Sequence, residues 1–533
     1  EILSAAGHEA RAGTALDDLR PTLAHHYGEA ARAIPALRPA AVEHLRLAAV
    51  QASAQLSYPD AIRYLQVARQ LVDRDDRALG ARPALAQGEA EMRAGHSRLA
   101  LRSFDAAYGD ARIIANADLL AAAAIGYEEA SWRPGGNGGP AVERLLGARA
   151  AVPPGNPAAQ VRLLTVLIRA YAHAGWLDDS HATYQEAARL VGGLGDPEME
   201  ARLLNVHLAT AWDKPDVPDA MPKLERLRAL LGQVGDVEVR ILARQIEARH
   251  MARRGLMGHY RQASEALLAE TAGLHSTFWA YVAAAHHTLI SLYEGRLDEA
   301  EAAANAANVV AQRLVEEDTS GSYGLTMFLI RREQDRLAPL AGLVRHIVDA
   351  DADADAGWTL WTPGLGLILA ETGRSAEACE ILAELRRADF AFPVDAMWST
   401  VMALVIDLAV RLGDVDACHR LHDHYADQAG KVVVTGHGVV CLGSADRFLG
   451  MLALTCGELQ MAEWHLMRAV VLDQTSGSPL WAGHARLGLA HVRHRQGRTA
   501  EAVALSAAVG RVAVRHGHRY LHRQAEELIR SVA

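Results

Sequence analysis

The sequence predicts an all-α protein built as a solenoid of stacked helix-turn-helix pairs. Three observations lead to this fold class. A glycine-centred motif recurs about every 40 residues along the 533-residue chain. Apolar residues on both sides of each glycine follow a helical period rather than the two-residue period of a strand, and only one short stretch is typical of β-structure. Self-similarity at a fixed period of this length indicates a repeat array.

The motif places a glycine at the end of one helical run and a small residue at the start of the next. Its clearest copy is GRLDEA at Gly295–Ala300. Other copies lie at Gly95–Ala100, Gly175–Ser180, Gly373–Ala378, Gly413–Cys418, Gly457–Ala462 and Gly497–Ala502, with an opening copy at Ser57–Ala61 and weaker copies at Gly135, Pro215, Gly255 and Gln334. From Gly95 to Gly497, ten steps cover 402 residues. The predicted array therefore holds about twelve helix pairs of roughly 40 residues.

Three positions of the motif have a simple physical explanation. A helix that ends in a tight turn needs a left-handed residue, which glycine provides without a steric penalty. An aspartate two or three residues later, such as Asp178 or Asp416, is in position to cap the next helix. The residue five positions after the hinge is small, which lets two helices approach closely, so Cys418 is interpreted as a buried residue rather than a redox group. The residues at this position are Ala100, Ser180, Ala220, Ala300, Ala378, Cys418, Ala462 and Ala502.

A single helix pair cannot bury its apolar face, and stacking of the pairs builds a continuous core. We predict capping helices at residues 1–56, repeats at 57–430, and further repeats with a C-terminal cap at 444–533, along a right-handed superhelical path. The one β-like stretch, KVVVTGHGVVCLG at 431–443, is interpreted as a long inter-repeat loop. No sheet is expected.

Four tryptophans occupy equivalent positions, 15 or 16 residues before a hinge. They are Trp279, Trp358, Trp398 and Trp481. An aromatic residue that recurs near the start of the first helix of a pair favours packing between neighbouring repeats, and the alternative is a face on which a ligand stacks.

Charge and composition exclude several classes of function. The net charge is −10, whereas phosphate binding needs a basic footprint, so we expect no direct nucleic-acid partner. No stretch approaches the ~18 uninterrupted apolar residues of a membrane span, and the N-terminus lacks the regions of a signal peptide. The four cysteines show no C-x-x-C spacing. These features predict a cytoplasmic protein without a membrane partner.

No catalytic or metal-binding signature stands out. The chain contains no G-x-x-x-x-G-K-[ST] phosphate loop, and no H-E-x-x-H, G-x-S-x-G or G-x-G-x-x-G motif in a suitable context. The acidic run at 349–355 lacks the glycine and the final acidic residue of a calcium loop. His518 and His522 have the spacing of a metal-binding pair but no evident third ligand. We predict no catalytic residue, no metal, no cofactor and no enzymatic activity.

The helix pairs resemble tetratricopeptide repeats, although they are longer than the usual ~34 residues. This resemblance implies that residues about 2, 3, 6 and 10 positions before each hinge face the concave groove. In the middle of the array these positions are rich in arginine and amide groups, which suit a carboxylate or a phosphate. The candidate ligand-binding residues are Arg169, Asn205, Trp212, Gln245, Arg249, Arg253, Arg331 and Arg332. The same positions also hold His173, Asp407, Arg447, His491 and His494. The alternative interpretation is a solvated surface.

Two end regions carry a more specific resemblance. LAHHYGEA at Leu23–Ala30, followed by Ala40–Val72, and the segments Gly443–Val470 and Pro479–Ala502 resemble the helical-repeat region of large ATP-binding regulators of the LuxR family. The same region is similar to that of ATPase-coupled adenylate cyclases of actinobacteria. In that family an ATPase precedes the repeats and a helix-turn-helix often follows them, and in one relative, the maltose regulator, this region binds the inducer. This chain has no Walker motif and no DNA-binding module, so the resemblance implies the sensor part alone.

Two functions follow from these observations. The first is an effector-sensing domain of a transcriptional regulator, which binds a small molecule or a peptide in its groove, with ATPase and DNA-binding domains elsewhere in the parent protein. The second is a pure protein-interaction scaffold whose groove holds a peptide or another domain. The sequences on either side of the chain would distinguish the two, because an ATPase before it and a helix-turn-helix after it favour the regulator.

Overall fold

A computed structural model describes residues 16–73, 75–132, 138–210, 220–272, 277–312, 320–353, 361–395, 397–436, 438 and 440–532. Within these ranges the regular structure is helical except for two short strands. The predicted all-α fold of tetratricopeptide-like helical hairpins is therefore confirmed. No helix in the described ranges is long and apolar enough to cross a membrane.

The chain forms two compact units. The first contains residues 1–210 with the short pieces 275–278 and 312–318, and the second contains 211–274, 279–311 and 319–533. The boundary at 210 lies inside the stretch that the sequence predicts as one continuous array.

Consecutive helices of the first unit pack against one another. They are α1 (Leu16–Ala33), α2 (Arg38–Ala54), α3 (Tyr58–Leu71), α4 (Arg77–Arg93), α5 (Ser97–Ile113), α6 (Ala117–Trp132), α7 (Gly139–Ala151), α8 (Pro157–His173), α9 (Leu177–Leu194) and α10 (Pro197–Ala209). Alanine supplies much of the apolar core in this unit, as in the cluster that joins Ala141, Leu145 and Leu163.

The second unit continues the same hairpin pattern and contains both strands. Its elements are α11 (Ala220–Leu230), α12 (Val237–Arg253), α13 (Met257–Thr271), α14 (Thr277–Tyr293), α15 (Leu297–Ala311), α16 (Ser320–Glu333), α17 (Ala341–Asp353), α18 (Trp361–Glu371), α19 (Ser375–Arg387), α20 (Trp398–Leu412), α21 (Val415–Tyr425), β1 (Val432–Val434), β2 (Cys441–Ser444), α22 (Ala445–Thr455), α23 (Leu459–Thr475), α24 (Pro479–Arg495), α25 (Thr499–His516) and α26 (Arg519–Val532). Its largest apolar cluster runs from Leu292 in α14 to Leu452 in α22.

The hinge glycines adopt the conformation that the motif predicts. Those at 95, 175, 255, 295, 373, 413, 457 and 497 have φ between +68° and +86°. The amide after each hinge donates to the carbonyl five residues before it, as from Arg296 to Ser291 at 2.9 Å, which closes the end of the helix. At the weaker copy around Gln334, Asp335 takes the left-handed position. The copies at Gly135 and Pro215 lie outside the described residues.

The predicted caps at Asp178 and Asp416 are wrong. Each helix begins two residues after its hinge, so the cap position falls directly after the glycine, on Trp176 and Asp414. The Asp414 carboxylate accepts a hydrogen bond from the Ala417 amide at 3.0 Å. Asp178 and Asp416 lie in the first helical turn instead, where their charge favours the positive end of the helix dipole.

The small position after the hinge is buried, as the sequence predicts. Seven of its eight residues are at most 7% exposed, and Ala220 is half-buried. Burial raises the pKa of the Cys418 thiol to about 12, which fits the interpretation of Cys418 as a packing residue. The tryptophans at 279, 398 and 481 lie within the first three residues of their helices, and Trp358 lies outside the described residues.

The expected loop at 431–443 is wrong, because its two ends contain the strands β1 and β2 of a β-ribbon. β1 and β2 are antiparallel, with Val432 opposite Ser444 and Val434 opposite Cys441. All strand residues are buried, and the ribbon packs against helices that include α12, α20 and α23. Because neither face meets solvent, the valine-rich stretch lacks the apolar–polar alternation by which a half-exposed strand is recognised in a sequence.

Candidate functional site

The last helices of the second unit contact the turns that follow α14 and α16. The Ser478 hydroxyl donates to the carbonyl of Tyr293 at 2.5 Å, and His518 Nε2 donates to the carbonyl of Gly295 at 2.8 Å. Arg523 donates from Nε and Nη2 to both carboxylate oxygens of Asp335, at 2.8 Å each. These closing contacts join residues 185 to 223 positions apart, so they fix α24 and α26 against the turns that follow α14 and α16.

A buried ion-pair network lies beside the closing contacts. Arg332 donates from Nε and Nη2 to Glu371 Oε1 at 2.9 and 2.6 Å, and from Nη1 to Asp407 Oδ2 at 2.7 Å. Arg447 Nη1 reaches Asp407 Oδ1 at 3.4 Å. The Tyr520 hydroxyl donates to Glu371 Oε1 at 2.9 Å. These five residues, the central network, connect the first helices of four hairpins to α26.

Two groups of the central network, Arg332 and Asp407, have pKa values shifted toward their charged forms. Burial by itself lowers the pKa of Arg332, but Glu371, Tyr520 and Asp407 hold that pKa well above its ordinary value. Burial likewise raises the pKa of Asp407, and the charges of Arg332 and Arg447 outweigh this effect, so the net pKa is lowered. A buried ion pair of this kind is weak evidence for stability, because desolvation offsets the attraction. It does fix the positions of the side chains that form it.

The central network forms one wall of a cavity of about 500 Å³. This volume lies within the range of small-molecule sites in proteins. Besides the network, the polar lining includes Arg411, Arg495, His484 and His491. The apolar lining includes Trp481, Met451, Leu454 and Leu487. Behind the wall, His484 Nε2 contacts Glu333 Oε1 at 3.0 Å.

Most of the cavity is built from the groove-facing positions of the repeats. Residues 2, 3, 6 or 10 positions before a hinge account for Arg332, Glu371, Asp407, Val410, Arg411, Arg447, Met451, Leu454, Thr455, Leu487, His491 and Arg495. The groove-facing positions predicted from the sequence therefore include most of the residues that line this cavity in the second unit. Tyr520, His484 and Trp481 lie outside these positions.

The predicted ligand-binding residues of the first unit are engaged within the protein. Arg169 donates to Glu128 from Nε at 2.8 Å and from Nη2, and its guanidinium carbon lies 4.7 Å from the centre of the Trp132 ring. Asn205 is fully buried in α10. Trp212 lies outside the described residues.

The predicted ligand-binding residues of the second unit lie in different places. Gln245 and Arg249 are buried in α12, and Arg253 at its end is half-buried. Arg331 forms a two-point contact with Glu301 at 2.7 and 2.6 Å, and this contact helps to lower the pKa of Glu301 to about 2. Of these candidates, only Arg332 lines the cavity. The role of this set in binding stays a prediction.

Several residues of the cavity are not among the predicted ligand-binding residues, for two different reasons. Glu371, Arg411 and Arg495 occupy groove-facing positions, and the repeat offsets could have found them. Tyr520 and His484 join the site through the closing contacts, for which the repeat pattern gives no signal. The two histidines with metal-binding spacing, His518 and His522, have different partners in the structure. His518 contacts the Gly295 carbonyl, and His522 contacts Glu526 at 3.2 Å. Among the described residues, no group of three His, Cys, Asp or Glu side chains is placed to hold a metal.

Comparisons with known proteins identify no family for this chain. No protein-family model matches the sequence, and no curated protein matches it. Similar solved structures include the APC/C hetero-tetramer Cut9-Hcn1, with 13% identity, coverage of 92% of this chain and 96% of that chain, and a TM-score of 0.38. Yeast Tom70 shows 13% identity, coverage of 92% and 95%, and a TM-score of 0.23. A circular tandem repeat protein shows 14% identity, coverage of 97% and 95%, and a TM-score of 0.15.

Proposed function

We propose that the chain is the effector-sensing helical-repeat region of a bacterial LuxR-type, ATP-dependent transcriptional regulator, and that the effector binds in the cavity of the second unit. The resemblance of the end segments suggests the class of protein. The cavity supports the sensing role, because its lining combines Arg332 on α16 with Tyr520 on α26, 188 positions later in the chain. A ligand that bridges such distant helices has different affinity for the closed and opened arrangements, which a sensor requires.

The proposal is tested by blocking the cavity. Thr455 lies in the last turn of α22, lines the cavity and is half-buried, so Thr455→Trp fills the space without removing a core side chain. Thr475 is a matched control. It lies at the end of α23 away from the cavity, and like Thr455 it donates to the carbonyl four residues earlier, at 2.8 Å against 2.9 Å.

A metabolite screen by thermal shift on the full chain is the measurement. We expect compounds that raise the melting temperature of the wild type and of Thr475→Trp, and that have lost this effect on Thr455→Trp. Circular dichroism confirms that both variants keep their helical content. Compounds that stabilise all three proteins equally would place the effector outside this cavity, and a screen without any hit would contradict small-molecule sensing.

One observation favours the alternative function of a protein-interaction scaffold. On α23, Met461, Trp464, Met467 and Val471 are 41–62% exposed and follow one another at helical spacing. Such an apolar stripe fits the apolar face of one helix from a partner domain. A double variant, Met461→Lys with Met467→Lys, would abolish binding of the ATPase segment of the parent protein in this alternative, whereas Thr455→Trp would leave that binding unchanged.

A further inference from the structure

The last turn of the first helix lines the cavity in five successive repeats. The residue two positions before the hinge does so in four of them, as Glu371, Arg411, Thr455 and Arg495, and Arg332 lies three positions before its hinge at Asp335. Three of these five residues are arginines. The repeat geometry thus brings guanidinium groups from separate hairpins to one cavity.

The charges of the lining do not balance. Four guanidiniums, from Arg332, Arg411, Arg447 and Arg495, face two carboxylates, Glu371 and Asp407. Arg332 engages both carboxylates, and Arg447 has only the longer contact with Asp407. Arg411 and Arg495 form no ion pair within the described part of the chain. The excess of positive charge is local, since the whole chain carries a net charge of −10.

The lining also contains buried polar atoms whose hydrogen-bonding capacity is unused. Arg447 Nε and Trp481 Nε1 are donors, and Glu371 Oε2 is an acceptor, and none has a partner among the described residues. All three side chains are more than nine-tenths buried. The three atoms themselves have almost no accessible surface, so they lie behind the cavity wall and do not contact a ligand in the cavity. The groups available to a ligand are therefore the guanidiniums of Arg411 and Arg495, which are exposed.

We propose that the cavity binds a small organic dianion, such as a sugar phosphate or a hydroxy-dicarboxylate. This inference rests on the proposed function, and it names the class of effector. Arg411 and Arg495 balance the two negative charges and donate to the ligand oxygens. Met451, Leu454 and Leu487 contact the carbon skeleton. Guanidinium groups suit carboxylate and phosphate alike, since both present pairs of oxygens to the planar fork.

Isothermal titration calorimetry of the full chain, in a buffer without phosphate, tests the proposal. The probes are glucose 6-phosphate and malate as organic dianions, glucose as a neutral hydroxylated compound, and inorganic phosphate as an anion without a carbon skeleton. The test variant is Arg411→Gln with Arg495→Gln. Its matched control is Arg511→Gln with Arg515→Gln, which changes the net charge equally at two exposed arginines of α25 outside the cavity lining.

We expect at least one organic dianion to bind the wild type more tightly than glucose or phosphate. The Kd should rise at least about tenfold in the cavity variant and less than about twofold in the control, and it should rise with added salt. Equal losses in both variants would show a general charge effect and overturn the site. Binding of glucose alone, abolished by Thr455→Trp, would refute the dianion and leave the proposed function in place. If none of the probes binds, the dianion proposal fails, whereas the metabolite screen decides the proposed function separately.

Discussion

Replacement of Gly295 by alanine tests the closure of the second unit most directly. Gly295 has φ of +74°, so an alanine there is strained by about 1–2 kcal/mol. Its Cβ would also lie 2.6 Å from His518 Nε2 and 3.2 Å from Leu480 Cβ. Such overpacking costs about 1–3 kcal/mol in a well-packed core. The expected destabilisation by Gly295→Ala is therefore about 2–5 kcal/mol.

Gly497 provides a matched control from the same repeat position. Its φ is +76°, and no atom lies within 4 Å of the Cβ that an alanine would add. Gly497→Ala should therefore cost only the conformational strain of about 1–2 kcal/mol. Gly255→Ala should behave like Gly295→Ala, because its Cβ would meet Leu472 Cδ1 at 2.6 Å and Ser476 Oγ at 2.7 Å.

Urea unfolding of the full chain by circular dichroism measures these differences, and hydrogen exchange of α26 shows where stability is lost. In a His518→Ala background, the additional cost of Gly295→Ala should fall toward that of Gly497→Ala, since the main clash is gone. If Gly295→Ala and Gly497→Ala destabilise the wild type by the same amount, α26 does not pack against this hinge and the closing contacts are wrong.

Three further predictions concern the core and its titrating groups. Ala300→Leu should lower the free energy of unfolding by about 1–3 kcal/mol, because Ala300 is fully buried. Ala306→Leu, on the exposed face of α15, should leave urea unfolding unchanged. Equal effects of the two substitutions would contradict the assignment of Ala300 to the small position. Burial raises the pKa of Asp473 to about 7, so the wild type should lose stability as the pH rises from about 4 to 7. Compared with the wild type, Asp473→Asn should be more stable by about 4 kcal/mol at pH 8 and should differ little at pH 4. Burial lowers the pKa of His286 to about 4. The free energy of unfolding should therefore fall by up to about 3 kcal/mol as the pH falls from 6.5 to 4, because only the unfolded chain binds the proton in that range. His286→Gln should reduce this dependence of the unfolding free energy on pH.

The local features of the fold could be predicted because they repeat. Left-handed glycine, buried alanine and helical period each depend on a few neighbouring residues, and ten steps of the motif reinforce one another. The ribbon at 431–443 escaped prediction because it has no counterpart in the other repeats. Its valines are buried by helices distant in sequence, and no local pattern distinguishes a strand buried on both faces from an apolar loop.

The candidate site could be predicted in part, and the reason is visible at two adjacent arginines. The repeat offsets select both Arg331 and Arg332, yet Arg331 contacts Glu301 and Arg332 joins the central network. Arginines are frequent at groove-facing positions in the middle of the array, which is why the sequence predicts a binding site there. Some of these arginines form ion pairs within the protein instead, as Arg169 does with Glu128. The location of the cavity depends on Tyr520 and His484, which reach it through contacts across about 150 residues. Long-range contacts of this kind follow from the closed arrangement of the second unit, and the 40-residue repeat in the sequence does not indicate them.

The closure and the cavity share a side chain, and this links binding to conformation. Tyr520 lies on α26, which the contacts of His518 and Arg523 hold in place, and its hydroxyl bonds to the same Glu371 oxygen that Arg332 contacts. Opening at α26 would therefore remove one wall of the cavity and one partner of the central network. In the proposed function, an effector that binds only the closed arrangement stabilises it by the full binding free energy at that concentration. By the same linkage, a weaker closure lowers the apparent affinity for the effector, so the hinge at Gly295 controls binding without contacting the ligand.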